Sequence, residues 1–181
     1  MENTNEEFLW NILSNLISES NRTAFRSEGQ ICGFIVGRFE QPNQNVIIHR
    51  EIPTPLKYKS NEGDLIEDSA GKSGNIDLQI VRDKKSIYIE LEYPRGTGRE
   101  LVNFSNHLKR DIKKLESLDE ADSRIVIIFD YQDYENFDFK DVINQVIGTG
   151  IRTHVIHVRL PYKGKGPEIR NWKERIWEPV S

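Results

Sequence analysis

Residues 74–93 read GNIDLQIVRDKKSIYIELEY. In 75–81 the apolar Ile76, Leu78 and Ile80 alternate with Asp77 and Gln79. In 86–93 the apolar Ile87, Ile89, Leu91 and Tyr93 alternate with Tyr88, Glu90 and Glu92. A period of two predicts strands, because successive side chains of an extended chain point to opposite faces. The polar Arg82-Asp83-Lys84-Lys85 lies between them, and a two-residue turn at Asp83-Lys84 predicts a hairpin. With Arg82 opposite Lys85, Gln79 faces Tyr88, Asp77 faces Glu90, and Glu92 lies on the same face.

Cross-strand partners have Cβ atoms about 4.5–5.5 Å apart, where like charges destabilise the pair. Close carboxylates raise one another's pKa. A shared cation resolves the conflict, and Mg²⁺ takes oxygen ligands, often only one or two carboxylates plus phosphate oxygens. The alternative is an acidic face whose charges are simply solvated.

Upstream, Thr4-Asn5-Glu6-Glu7 reads as a capping box. Leu9, Ile12, Leu13, Leu16 and Ile17 follow at helical spacing, predicting a helix over 4–19. Ile31–Phe39 and Val46–Ile52 are expected to be strands, joined by the turn-rich 41–45, with Pro53 and Pro55 ending the second. The polar 57–73 is expected to be a long loop. Its Gly71-Lys72-Ser73 fails as a phosphate-binding P-loop, since Ile66 stands where that pattern needs glycine and a strand follows instead of a helix.

Downstream, 94–99 reads PRGTGR. A dinucleotide fingerprint fails because its third glycine falls on Leu101. What remains is a glycine turn opening a helix between Arg95 and Arg99. That is either a phosphate-holding N-terminus or an ordinary strand-to-helix turn. The helix, over 99–118, carries Leu101, Phe104, Leu108, Ile112 and Leu115 as its apolar stripe. Lys109 and Lys113 lie on one flank, Asp111 and His107 on the other. The run 124–131 reads as a strand covered on both faces. A short helix around Val142–Ile147 and a strand over 153–160 complete a βαβ unit with parallel pairing.

The tail, 161–181, carries Lys163, Lys165, Arg170 and Lys173 with Trp172 and Trp177 interleaved. Ile169, Trp172 and Ile176 at helical spacing predict a packed C-terminal helix. The competing reading is a basic, aromatic surface for a phosphate backbone or unstacked bases.

With 181 residues, 30% of them charged and 36% hydrophobic, the chain is expected to fold as one globular domain, core about 4–160, rather than stay disordered. The longest apolar run, 125–129, is too short to span a bilayer. MENTNEEF lacks a signal-peptide layout, and a cytoplasmic protein with no membrane partner fits. The lone Cys32 excludes an internal disulfide and reads as a small core residue. A net charge of −4 does not advertise a nucleic-acid binder, though it can hide local patches.

This order of elements resembles the restriction-endonuclease-like, PD-(D/E)XK nuclease superfamily. There a mixed sheet lies between helices, with an Asp on one strand and Glu-x-Lys on the next. Asp77 falls on the first position, and Glu90-Leu91-Glu92 falls on the triplet, preceded by the apolar run 86–89. The resemblance implies an α/β fold: a three-layer α/β/α arrangement with a central mixed sheet of about five strands. It also implies a metal-dependent endonuclease acting on DNA, or secondarily RNA.

In that reading Asp77, Glu90 and the Leu91 carbonyl hold Mg²⁺, for which Mn²⁺ substitutes. Glu92 is a second ligand or the general base, and Gln79 and Tyr88 either position substrate or pack beside it. Restriction enzymes of this type often act as homodimers, though no interface is legible. One departure stands out: the usual lysine is Glu92. Some members carry Glu there, others move the lysine to the following helix, where Lys109 or Lys113 would serve, and others are inactive modules that only bind nucleic acid or a protein partner.

Overall fold

The computed structural model describes residues 5–20, 25, 27–40, 45–58, 65–66, 72–93, 99–130, 139–146, 151–159, 168–171 and 176–179. Helix α1 (Asn5–Ser20) and helix α2 (Glu28–Phe39) come first. Strands β1 (Val46–Tyr58), β2 (Leu65–Ile66), β3 (Lys72–Arg82) and β4 (Lys85–Glu92) follow. Helix α3 (Arg99–Glu116), strand β5 (Ser123–Asp130), helix α4 (Phe139–Val146) and strands β6 (His154–Arg159), β7 (Glu168–Asn171) and β8 (Ile176–Pro179) complete the chain.

The strands form one mixed sheet in the order β2-β1-β3-β4-β5-β6-β7-β8. Its five-strand centre is β1, β3, β4, β5 and β6. The pairs β4–β5 and β5–β6 are parallel, and the others antiparallel. The parallel β5–α4–β6 unit is the one the apolar patterning predicts.

Two cores lie on opposite faces. On one, α1 and α2 pack Ile12, Leu13, Ile31 and Ile35 against Leu78, Ile80, Ile87, Ile89, Ile127 and Val158. On the other, α3 and α4 pack Phe104, Leu108, Ile112, Leu115 and Ile143 against Val126, Ile128 and Val155. The architecture is therefore three-layered α/β/α. No described helix is long and apolar enough to cross a membrane.

Three local expectations are corrected. Residues 31–39 belong to helix α2, not a strand. The Ser27 side chain accepts from the Gln30 N–H at 3.2 Å as N-cap. The buried residues Ile31, Cys32, Ile35 and Phe39 follow helical spacing. Ile, Val and Phe favour strands only as a weak prior, and burial of that stripe overrides it. Strand β1 runs through Pro53 and Pro55 to Tyr58, with an irregular register between Pro53 and Lys57, since proline cannot donate to a ladder. The helix expected around Ile169 and Ile176 is replaced by β7 and β8, whose antiparallel pairing satisfies the backbone groups at the open edge of β6. Most of the long polar stretch expected after Lys57 lies outside the described residues.

Cys32 is buried, as expected of a small core residue, and burial pushes its thiol up to about 12.

Candidate active site

The hairpin that carries the acidic residues turns at Asp83 and Lys84, with φ of 50° and 66°. Two successive positive φ values define a type I′ turn, whose twist suits the flanking strands. The register is the expected one: Arg82 pairs with Lys85, Gln79 with Tyr88, and Leu78 with Ile89. Gln79 donates to the Tyr88 hydroxyl at 2.9 Å and to the Ser86 hydroxyl at 3.3 Å, so the polar residues of this face bond to one another.

Beyond Leu78 and Ile89 the ladder ends. The Asp77 carboxylate then takes the Leu91 backbone N–H at 2.7 Å, in place of a β3 carbonyl. Alternation breaks here as well. Leu78 and Ile80 face α1 and α2, whereas Ile76 joins the core under α3. Asp77 thus sits where the two strands part.

A side-chain hydrogen bond links Asp77 to Glu90. Glu90 is ion-paired with the Lys114 ammonium. Lys114 is 2.7 Å from Asp111 one helical turn earlier, and donates to the Asn75 carbonyl at 3.1 Å. Asp111 shares a hydrogen bond with Glu92. Glu90 and Asp111 therefore meet the Lys114 ammonium directly, with Asp77 bonded to Glu90 and Glu92 to Asp111. Glu90, Asp111 and Lys114 are all buried.

The ionisation of this set follows from its surroundings. Burial, then the charge of Asp111, pushes Glu90 up to about 10, with Lys114 offsetting only part. Burial and the hydrogen bond to Asp111 hold Glu92 well above the ordinary carboxyl range. Burial also raises Asp77, against the Leu91 N–H and the Glu90 contact. For Lys114, burial alone acts downward, but the charges of Asp111 and Glu90 overcome it and hold the ammonium above its usual value. Protons in such a set belong to the whole rather than to one carboxyl. At neutral pH the ammonium is charged and the carboxyls share fewer negative charges than their number.

Gly74 lets the lysine reach this place. A Cβ there would stand 3.2 Å from Lys114 Cδ, 3.2 Å from Thr54 Oγ1 and 3.3 Å from the Leu56 carbonyl oxygen. The Thr54 hydroxyl donates to the Gly74 carbonyl at 2.8 Å and keeps β1 and β3 close at that point.

The structure thus brings Asp77, Glu90 and Glu92 together with Asp111 and Lys114. It sets Lys114, not Lys109 or Lys113, against the carboxyls, since both of those lysines are exposed. The signal for Lys114 was present. At 100° per residue, Asp111 lies about 60° and Lys114 about 120° from the apolar stripe, on one flank, while Lys109 and Lys113 lie on the other. Patterning alone does not say which flank meets β3 and β4. Leu91 contributes its backbone N–H to Asp77 and buries its side chain on the α1–α2 face. Arg95, Lys163, Lys165 and Lys173 lie outside the described residues. Arg99 opens α3 and Arg170 lies in β7, with side chains outside the described residues.

No family model matches the chain, and no curated protein sequence matches it. Among solved structures it is similar to SfsA of Pyrococcus furiosus, determined in complex with Ca²⁺. The two are 14% identical with a TM-score of 0.36, and the match covers 80% of this chain and 61% of SfsA, under two thirds of its length.

Proposed function

We propose that the chain is a metal-dependent nuclease hydrolysing phosphodiester bonds in DNA, with RNA as the second substrate class, and that it resembles the PD-(D/E)XK enzymes in its site. The observation that carries this reading is the contact of Asp77 and Glu90 where β3 leaves β4, with the Lys114 ammonium against Glu90.

The donors suit a hard divalent cation in kind, being carboxylate oxygens. In number they suit only a two-carboxylate arrangement. Among the described residues no three His, Cys, Asp or Glu side chains are grouped to hold a metal. Two carboxylates suffice for Mg²⁺, which keeps waters and takes phosphate oxygens for the rest. Asp77 and Glu90 would hold it, and Mn²⁺ would substitute. When bound, the metal supplies polarisation of the scissile phosphate and a lowered pKa for an attacking water.

The chain's own residues do the remainder. Lys114, held charged by Asp111, offers its ammonium to negative charge developing on the phosphate oxygens. It takes the part that the resemblance would give to Lys109 or Lys113. Glu92 keeps a proton to unusually high pH beside Asp111, so it is equipped to exchange one during the reaction. Gln79 and Tyr88, bonded to each other, border the same face.

The test is incubation with plasmid, single-stranded DNA and RNA under Mg²⁺, Mn²⁺ or chelator. Asp77→Asn and Glu90→Gln should each reduce metal-dependent cleavage to background with circular dichroism unchanged. Full activity in either rejects the assignment. Metal binding should also strengthen as pH rises, because the raised pKa of Glu90 means a proton must leave before the carboxylate can bind. Calorimetry at pH 6 and pH 9 checks that sign.

One observation favours a second reading, an inactive module that binds nucleic acid or a protein partner. The Lys114 ammonium already neutralises part of the acidic cluster, so the fold is partly compensated without any metal. Absence of Mg²⁺ and Mn²⁺ binding, together with absence of cleavage, would decide for it.

A further inference from the structure

Asp130 and His157 form a second polar pair on the α3–α4 face, outside the carboxyl cluster. Asp130 ends β5, and His157 lies near the end of the neighbouring parallel strand β6. Val155 packs under α3 and α4, whereas Ile156 and Val158 face α1 and α2. Alternation therefore turns His157 toward α3 and α4. The C-terminal ends of parallel strands, where the chain turns outward, are a recurrent place for ligands.

Both residues are more than nine-tenths buried, with Asp130 4% and His157 6% exposed. Buried polar side chains without apolar-core duties ordinarily bond at full strength, and an imidazole paired with a carboxylate does so at about 2.7–2.9 Å. Here Nε2 of His157 is 3.4 Å from Oδ2 of Asp130, and Oδ1 of Asp130 is buried with no hydrogen-bond partner among the described residues. The separation has another meaning. Two ligands about 2.0–2.2 Å from a tetrahedral ion stand about 3.3–3.5 Å apart. An oxygen and an imidazole nitrogen are also the donor pair that suits a borderline divalent ion such as Zn²⁺ better than Mg²⁺.

We infer that Asp130 and His157 are two of the protein ligands of a second divalent-cation site, of Zn²⁺ type. The site is separate from the carboxyl cluster. Glu92 pairs with Ile128 and Ile128 with His157, so the two positions are two strand spacings apart, about 10 Å. The ions of a two-metal catalytic centre stand only about 3.5–4 Å apart.

The test is Zn²⁺ titration calorimetry on the full chain with Mg²⁺ in excess, with Co²⁺ absorption as the readout of tetrahedral geometry. Wild type should take up one equivalent. Asp130→Asn and His157→Gln should each weaken binding at least tenfold, and Glu90→Gln should leave it intact. No Zn²⁺ uptake by wild type, unchanged affinity in both pair variants, or loss in Glu90→Gln alone would overturn the assignment. Should the pair variants fail to fold, imidazole nitrogen NMR on wild type decides. The His157 ring signal shifts with Zn²⁺ if the assignment holds, and shifts confined to His49, His107 or His154 refute it. No cleavage measurement enters, so this inference and the nuclease reading stand or fall separately.

Discussion

Helix α3 meets the sheet at two polar places, and they are built on opposite electrostatics. At its C-terminal end Arg124 donates to the carbonyls of Leu115, Leu118 and Ala121. Glu116 there accepts from the backbone N–H groups of Arg152 at 3.0 Å and Thr153 at 2.7 Å, from the Thr153 hydroxyl and from the Arg152 guanidinium. Burial acts to raise Glu116, but the donors of Thr153 and Arg152 outweigh it and leave its pKa below the ordinary value. Earlier in the same helix, Asp111 and Lys114 join Asp77, Glu90 and Glu92, where the carboxyls outnumber the ammonium and three of them are raised. The end of the helix gives each charge a partner of opposite polarity. The flank formed by Asp111 and Lys114 confines like charges together. A fold needs only the first kind of contact, and the second lowers stability.

The largest expected effect tests the carboxyl cluster. Lys114→Met removes the cation against Glu90 and Asp111, and breaking one side of a buried pair costs about 3–5 kcal/mol. Urea denaturation at pH 7 measures it. A loss under about 1 kcal/mol would mean that the carboxyls simply take up protons, and the contrast with the C-terminal end would shrink.

Next comes Glu116→Ala, which strands the donors of Arg152 and Thr153 and should cost about 2 kcal/mol at neutral pH, as lost hydrogen bonds to a charged group do. The sign with pH follows from the lowered pKa. Glu116 stabilises fully above its unfolded value, about 4.3. That contribution disappears as pH falls through the folded value, so the variant and wild type should converge in acid.

The smallest effect has the opposite sign. Glu92 holds its proton more tightly folded than unfolded, so its ionisation erodes stability as pH rises above the unfolded carboxyl range. Glu92→Gln removes that erosion while keeping a donor for Asp111. The variant should gain in thermal midpoint over wild type at pH 8, with a smaller gain at pH 5. An equal gain at both values would show that Glu92 is not held protonated.

Much of this was legible in the chain. The hairpin register, the placement of Asp77 beside Glu90, and the βαβ unit all follow from period-two and period-3.6 patterns around short turns. What misled were segments whose residue types argue one way and whose burial argues another. Ile31 to Phe39 carries strand formers and folds as α2, because its buried stripe packs with α1 on one sheet face. The tail has helical spacing, yet its described parts pair as strands along the edge of β6. Lys114 and Asp111 were legible as one flank of α3, but a helix pattern shows the apolar stripe without showing which flank the sheet receives.

The sequence by itself determined which side chains share a strand face along the paired ladder from Leu78 to Ile89, since alternation is a property of the extended backbone; that Ile76 crosses to the other core was decided by the structure. The sequence determined the acidic character of the central hairpin for the same reason. The tertiary structure alone decided which cation meets those acids, through the docking of α3 and the missing side chain at Gly74. It alone decided their protonation, because burial and the distance between groups from separate elements exist only once the layers have closed. The pairing of Asp130 with His157 is likewise a product of parallel strands brought side by side from distant parts of the chain.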